Sequence, residues 1–152
     1  MQVKITNIED TQIKGVTVHL RSNDEPYLEN YFDWRASPLV AEFNSSSVSG
    51  GILKAWHHTP IFTEVETHVE DEMFYFTNGT ALMLFVDVAD GKPVMESAQM
   101  VRIKAGTQII IAAGKAHFVP VAEDDEPMIA TVVSPKVDAP RMTLAEPVEG
   151  VC

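Results

Sequence analysis

Short apolar segments broken by turn residues set the pattern of this chain. From Gly15 onward, runs rich in Val, Ile, Phe and Thr recur about every 8 to 12 positions, the spacing of an antiparallel sandwich or barrel. The predicted strands are 15–20 (GVTVHL), 51–58 (GILKAWHH), 72–78 (EMFYFTN), 80–88 (TALMLFVDV), 98–105 (AQMVRIKA), 107–114 (TQIIIAAG), 117–122 (HFVPVA) and 127–134 (PMIATVVS). Turns are expected at Asn78-Gly79, Asp90-Gly91-Lys92-Pro93, Ala105-Gly106, Gly114-Lys115 and 124–127. Helix is scarce: one short N-terminal segment, 8–14, has Asn7 placed to cap it. The stretch NSSSVSGG, 44–51, reads as a flexible loop or bulge inside the domain. The pattern predicts one all-β domain over 1–152, with its core at about 15–135. Three prolines from Pro135 onward and weak periodicity mark the end of the chain, 136–152, as a tail that wraps the surface or reaches another subunit.

Composition narrows the partners. A chain of 152 residues that is 45% hydrophobic supports a substantial core but not two ordinary enzyme domains. With 22 Asp and Glu against 11 Lys and Arg, the formal charge of -11 repels nucleic acid and anionic membrane surfaces alike. No apolar run approaches the roughly 18 residues of a membrane span, and the N-terminus lacks a secretion signal. The single cysteine, Cys152, allows no intrachain disulfide and has no neighbour that would activate it as a nucleophile. A cytoplasmic protein acting on a small molecule is the expectation.

The chemistry concentrates in TEVETHVEDEMFYFTNG, residues 63–79. In an extended run, residues two apart share a face, so Glu64, Glu66, His68 and Glu70 line up opposite Val65 and Val69. Two readings are open: the charged face looks into water, where screening makes repulsion cheap, or it converges inside a barrel on a metal or a polar substrate.

Two spacings favour convergence. The run Glu66-x-His68-x3-Glu72-x6-Gly79 resembles the first motif of the cupin superfamily, with Glu66 standing where that motif has its first histidine. The second cupin motif is approximated by Gly106, Ala112-Ala113-Gly114 and His117. The resemblance implies a jelly-roll β-barrel or sandwich. Glu66 and His68 would point the same way from one strand, Glu72 would return on the next strand of a hairpin, and His117 would follow a glycine turn on a distant strand. Imidazole and carboxylate ligands from His68, His117, Glu72 and Glu66 suit a divalent metal, Zn, Mn, Fe or Ni. Without a cation, one of the Glu66–Glu72 pair would have a raised pKa and donate a proton.

Within the superfamily the chain is most similar to the ureidoglycolate lyases. EVETH followed by Glu72, and then LFVDVADGKPVMESAQMVRIKAGTQIIIAAGKAHFVPV, follow that family's order of motifs over roughly 50–135. Here KAHFVP replaces a Trp-His-His-Pro stretch, Glu72 replaces a Gln, and Thr67 stands where an Arg is frequent. The resemblance implies a homodimer and a carbon–nitrogen lyase of purine catabolism, cleaving a carbinolamide to glyoxylate and urea. Glu66 would be the base, and His117 or Glu72 the acid. Alternatives are a non-catalytic module binding a sugar or small acid, and a metal-dependent sugar or keto-acid isomerase. Lys54, Tyr75 and His57 are the candidate substrate contacts: Lys54 as the cation for a carboxylate, Tyr75 through its hydroxyl, and His57 because only one of His57 and His58 can face the site. Trp56, Phe74, Phe76 and Phe85 are expected in the core.

Overall fold

The structure is a computed structural model that describes residues 1–136 and 139–152. Its strands run in chain order as β1 (Gln2–Asn7), β2 (Val16–Leu20), β3 (Tyr27–Leu28), β4 (Asp33–Trp34), β5 (Val48–Ala55), β6 (Ile61–Glu66) and β7 (Glu72–Asn78). They continue as β8 (Thr80–Ala89), β9 (Lys92–Lys104), β10 (Thr107–Ile111), β11 (Ala116–His117), β12 (Val121–Ala122), β13 (Met128–Pro135) and β14 (Arg141–Val151). The expected helix near 8–14 is only a 3-10 turn, Ile8–Asp10. Asn7 does not cap it, and its amide instead reaches the Asp10 carboxylate at 3.1 Å. β5 begins at Val48, inside the stretch read as a loop.

Seven strands form one sheet in the order β11-β6-β14-β1-β9-β8-β12, and β11 also pairs with β8. That extra pairing closes six of them into a barrel. A second sheet, β2-β10-β7-β13-β5, packs on the outside of the barrel wall, and β3 and β4 form a separate hairpin. Strand alternation explains the two cores. Along β8, Leu82, Leu84 and Val86 join Ile5, Phe62, Val65, Met100, Ala116, Leu144 and Val148 inside the barrel. Their neighbours Ala81, Met83 and Phe85 join Phe74, Phe76, Ile109, Ile111 and Met128 between barrel and sheet. Two turns that the sequence predicts, Asn78-Gly79 and Asp90-Gly91, hold their glycines at φ +66° and +71°, a region open to Gly at little cost.

The C-terminal segment differs from the expected tail. β14 lies within the barrel, antiparallel to β6 and parallel to β1. Pro147 is accommodated because the β14–β6 register shifts between Thr143 and Val148, so no ladder hydrogen bond is needed there. Val137 and Asp138 of that segment lie outside the described residues. Trp56, expected in the core, is 64% exposed beyond the end of β5; Phe74, Phe76 and Phe85 are buried as expected.

Candidate metal centre

The four residues singled out by the motif spacings meet between the barrel wall and the five-stranded sheet. β6 ends at Glu66 rather than running to Glu70, and the chain then crosses from the barrel to the other sheet. β6 and β7 are therefore not a hairpin, and Glu72 approaches from the opposite layer. Val69, expected to share the buried face with Val65, is 78% exposed because it lies past the strand's end. His68 is held in the crossing segment, where its carbonyl accepts from the Gly114 amide at 2.8 Å. His117 sits on β11, opposite Glu66 on one side and Phe85 on the other.

Ligand atoms of Glu66, His68 and His117 all lie within 4.8 Å of one another. Glu72 Oε2 is 2.8 Å from His117 Nε2 and 3.3 Å from His68 Nε2. The two imidazoles stack with centroids 5.4 Å apart, and Phe74 meets His117 edge-on. Glu72 and His117 are buried, His68 nearly so, and Glu66 is the most open of the four.

Hydrogen bonding constrains the protonation. His117 Nδ1 lies 3.1 Å from the Lys115 carbonyl. A carbonyl can only accept, so Nδ1 carries the proton and a neutral His117 presents a bare Nε2 to the Glu72 carboxylate. Two acceptors at 2.8 Å require a shared proton or a cation between them. Burial alone would push the Glu72 carboxyl up, but the contacts from His117 and His68 outweigh it and lower it to about 2. The His68 imidazole is shifted upward, first by its contact with Glu72, against the opposing effect of burial, with the Glu66 charge adding to the rise. Glu72 is thus an ionised anchor and not the raised-pKa proton donor of the metal-free expectation.

These residues fit a divalent metal. Metal–nitrogen bonds of about 2 Å need donor atoms gathered this closely. Both ring nitrogens of His68 are buried without a hydrogen bond, since the 3.3 Å approach to Glu72 is poorly aligned. A buried imidazole left without partners is costly unless it ligates something. The Lys115 carbonyl that fixes the His117 tautomer is the usual kind of support behind a metal-bound imidazole.

The other predicted site residues lie elsewhere. Tyr75 points to the outer face of the five-stranded sheet, because β7 alternates and Glu72, Phe74 and Phe76 face inward. His57 is exposed and its Nδ1 bonds the Ala122 carbonyl at 3.1 Å. Lys54 lies over the Trp56 ring at 5.7 Å and lines a groove of about 340 Å³ with Glu64 and Phe118. One cation in reach of the cluster is one the sequence reading missed. Arg141 of β14 pairs with Glu64 at 2.9 Å, approaches Glu66 at 4.0 Å and lies over the Phe118 ring at 5.2 Å. Its partners are far away in sequence, so only the β14–β6 register, Arg141 opposite Glu66, brings it here.

Neither a protein-family model nor a curated protein matches the sequence. Solved structures do match the fold. RmlC from Streptococcus suis in complex with dTDP-D-xylose is similar with a TM-score of 0.52 and 15% identity, over 83% of this chain and 67% of that one. dTDP-6-deoxy-D-glucose-3,5-epimerase RmlC from Legionella pneumophila Philadelphia 1, in complex with dTDP-4-keto-L-rhamnose, is similar with a TM-score of 0.52 and 14% identity, over 88% of this chain and 72% of that one. With these matches and its closed strand barrel, the chain has an all-β, cupin-type single-domain fold.

Proposed function

We propose that the chain is a small-molecule enzyme, a carbon–nitrogen lyase of the ureidoglycolate type, with a divalent metal, Zn, Mn, Fe or Ni, held by His68, His117 and Glu72. The observation that carries the reading is the convergence of Glu66, His68 and His117 within 4.8 Å, with both ring nitrogens of His68 buried and making no hydrogen bond. The metal, when bound, supplies Lewis-acid polarisation of a substrate oxygen.

The protein's own part falls mainly to Glu66, the member of the cluster open to a ligand. Its carboxylate takes the proton of the carbinolamide hydroxyl. The carbonyl then forms as the C–N electrons leave with nitrogen, and the same carboxyl returns that proton to the departing nitrogen. This replaces the acid role expected of His117 or Glu72, since Glu72 is held ionised and His117 is engaged on both nitrogens. Arg141, beside Glu66, supplies the positive charge for a substrate carboxylate that Lys54 was expected to give.

A second reading, sugar isomerisation, is favoured by the dTDP-sugars held in the two similar solved structures. A nucleoside diphosphate brings at least two negative charges. Among the described residues, Arg141 is the one Lys or Arg in ion-pair reach of the cluster, which suits a monoanion better.

The test is glyoxylate release from ureidoglycolate by protein loaded in turn with each of the four metals, alongside elemental analysis. Glu66→Gln should keep the metal and lose about 100-fold in turnover, the usual size of a general-base contribution. Rearrangement of a sugar substrate supports the isomerase. Ligand-dependent heat protection with no product supports a binding module, and absence of glyoxylate with every metal overturns the lyase.

A further inference from the structure

The outer face of the five-stranded sheet carries a row of polar side chains that the metal centre does not use. The strand registers place His19 opposite Gln108, Gln108 opposite Tyr75, and Tyr75 opposite Thr131, so the four lie side by side across β2, β10, β7 and β13. A solvated sheet face needs no roof. This one has a partial one, for the segment after β2 folds back over the row and borders a half-open pocket of about 340 Å³. Arg21, Asp24, Trp34 and Arg35 form its far wall.

Several of these groups are incompletely partnered. His19 Nε2 is buried and, although 2.7 Å from Asp24 Oδ1, is not aligned for a hydrogen bond with it. Gln108 donates its amide to Met73 Sδ at 2.8 Å, and a thioether is a weak acceptor. Trp34 lines the cavity yet is 63% exposed, apolar surface that an occupant would cover. Arg35 is committed, with Nε on Asp33 at 3.2 Å and Nη1 on the Asp24 carbonyl. Arg21 is freer, reaching Asp33 only at 3.8 Å with its side chain half-exposed.

We propose that this cavity is a second binding site, for a small aromatic carboxylate. The Arg21 guanidinium offers the planar fork that matches a carboxylate. Trp34 and Tyr75 offer ring faces and edges to a planar body, while Gln108 and Thr131 set its orientation through polar contacts. A cavity of this size lies at the small end of ligand sites, room for a single ring and its substituent. Two of the chain's four arginines line this cavity in a protein of net charge -11, offsetting Asp24 on its wall and Asp33 beside it. The site is separate from the metal centre: β7 is a shared wall, with Glu72 on one side and Met73 and Tyr75 on the other.

Backbone-amide NMR titration of the full chain with nicotinate and with benzoate, using benzamide as the uncharged control, tests the proposal. The acids should shift the resonances of His19, Tyr75, Gln108 and Thr131 saturably, and benzamide should bind much more weakly. Arg21→Gln should weaken the acids about tenfold, the scale of one charge-assisted pair, with an unchanged melting temperature. Glu66→Gln should bind them as the parent does. No saturable shift at about 10 mM acid, a concentration that would populate even millimolar binding, overturns the site. So does equal binding of benzamide, retention of affinity in Arg21→Gln, or shifts confined to the metal cluster.

Discussion

Lys115 shows how one side chain supports the centre from outside it. It is buried, its Nζ meets Asp87 Oδ1 at 2.7 Å, and its carbonyl fixes the His117 tautomer. Asp87→Asn leaves the buried ammonium without its counter-charge and should cost about 1–2 kcal/mol in urea denaturation at neutral pH, because the charged acceptor of a buried donor is lost. The pH dependence follows from the same contact. The Lys115 hydrogen bond holds the Asp87 carboxyl below its ordinary 3.8. A carboxyl lowered on folding adds stability that is complete above the ordinary value and disappears as pH falls through the lower, folded one. The parent should therefore lose an acid-sensitive component below about pH 4 that Asp87→Asn lacks; identical acid limbs in the two proteins would refute the account. Of the centre itself, Glu66, His68, Glu72 and His117 were legible because their spacing is local and turn-bounded. Lys115 and Arg141 were not. Arg141 acts through partners far away in sequence, Lys115 ties the distant Asp87 to the adjoining His117, and neither belongs to a spacing pattern.

Strands were legible wherever alternation was unbroken. The segment 72–78 matches β7 residue for residue, since its apolar face is strictly periodic and Asn78-Gly79 ends it. The reading failed where geometry departs from period two. 117–122 splits into β11 and β12 around Pro120. β9 starts at Lys92, inside the predicted turn, and is paired to β8 through a register shift between Phe85 and Asp87. Ser97 serves that irregularity, accepting from the Asp87 amide at 2.7 Å. Glycine marks a different element-level constraint at the sheet edge. A Cβ on Gly50, at φ +157°, would stand 1.9 Å from the Val132 carbonyl oxygen, whereas one on Gly51 meets nothing within 4 Å. Gly50→Ala must displace backbone in the β5–β13 ladder and should destabilise by about 1–3 kcal/mol, as overpacking does. Gly51→Ala should be close to neutral. Equal melting temperatures for the two variants would show that the edge yields more easily than this contact implies.

At the scale of the molecule, β14 decides whether the barrel closes. It joins β6 to β1, and among the described residues no other strand spans that gap. The sequence concealed this role, because Pro140 and Pro147 interrupt the segment and its outer face is mostly polar. A surface tail is expendable; a barrel strand is not. Ending the chain after Pro140 would expose both the β6 and the β1 edges and unpair their backbone groups. It would also remove Leu144 and Val148 from the barrel interior, about 1.5–3 kcal/mol for each apolar side chain. Domains are commonly stable by only about 5–15 kcal/mol, so these losses together consume most or all of it. The shortened chain should therefore lack a cooperative thermal transition and give collapsed amide dispersion in NMR spectra. Separate addition of a 141–152 peptide should restore some order if strand pairing is the cause, since the same ladders can form between chains. A truncated protein that melts cooperatively near the parent's temperature would mean that the six-stranded closure is dispensable, and that the barrel core is held by β8, β9 and β11 without it.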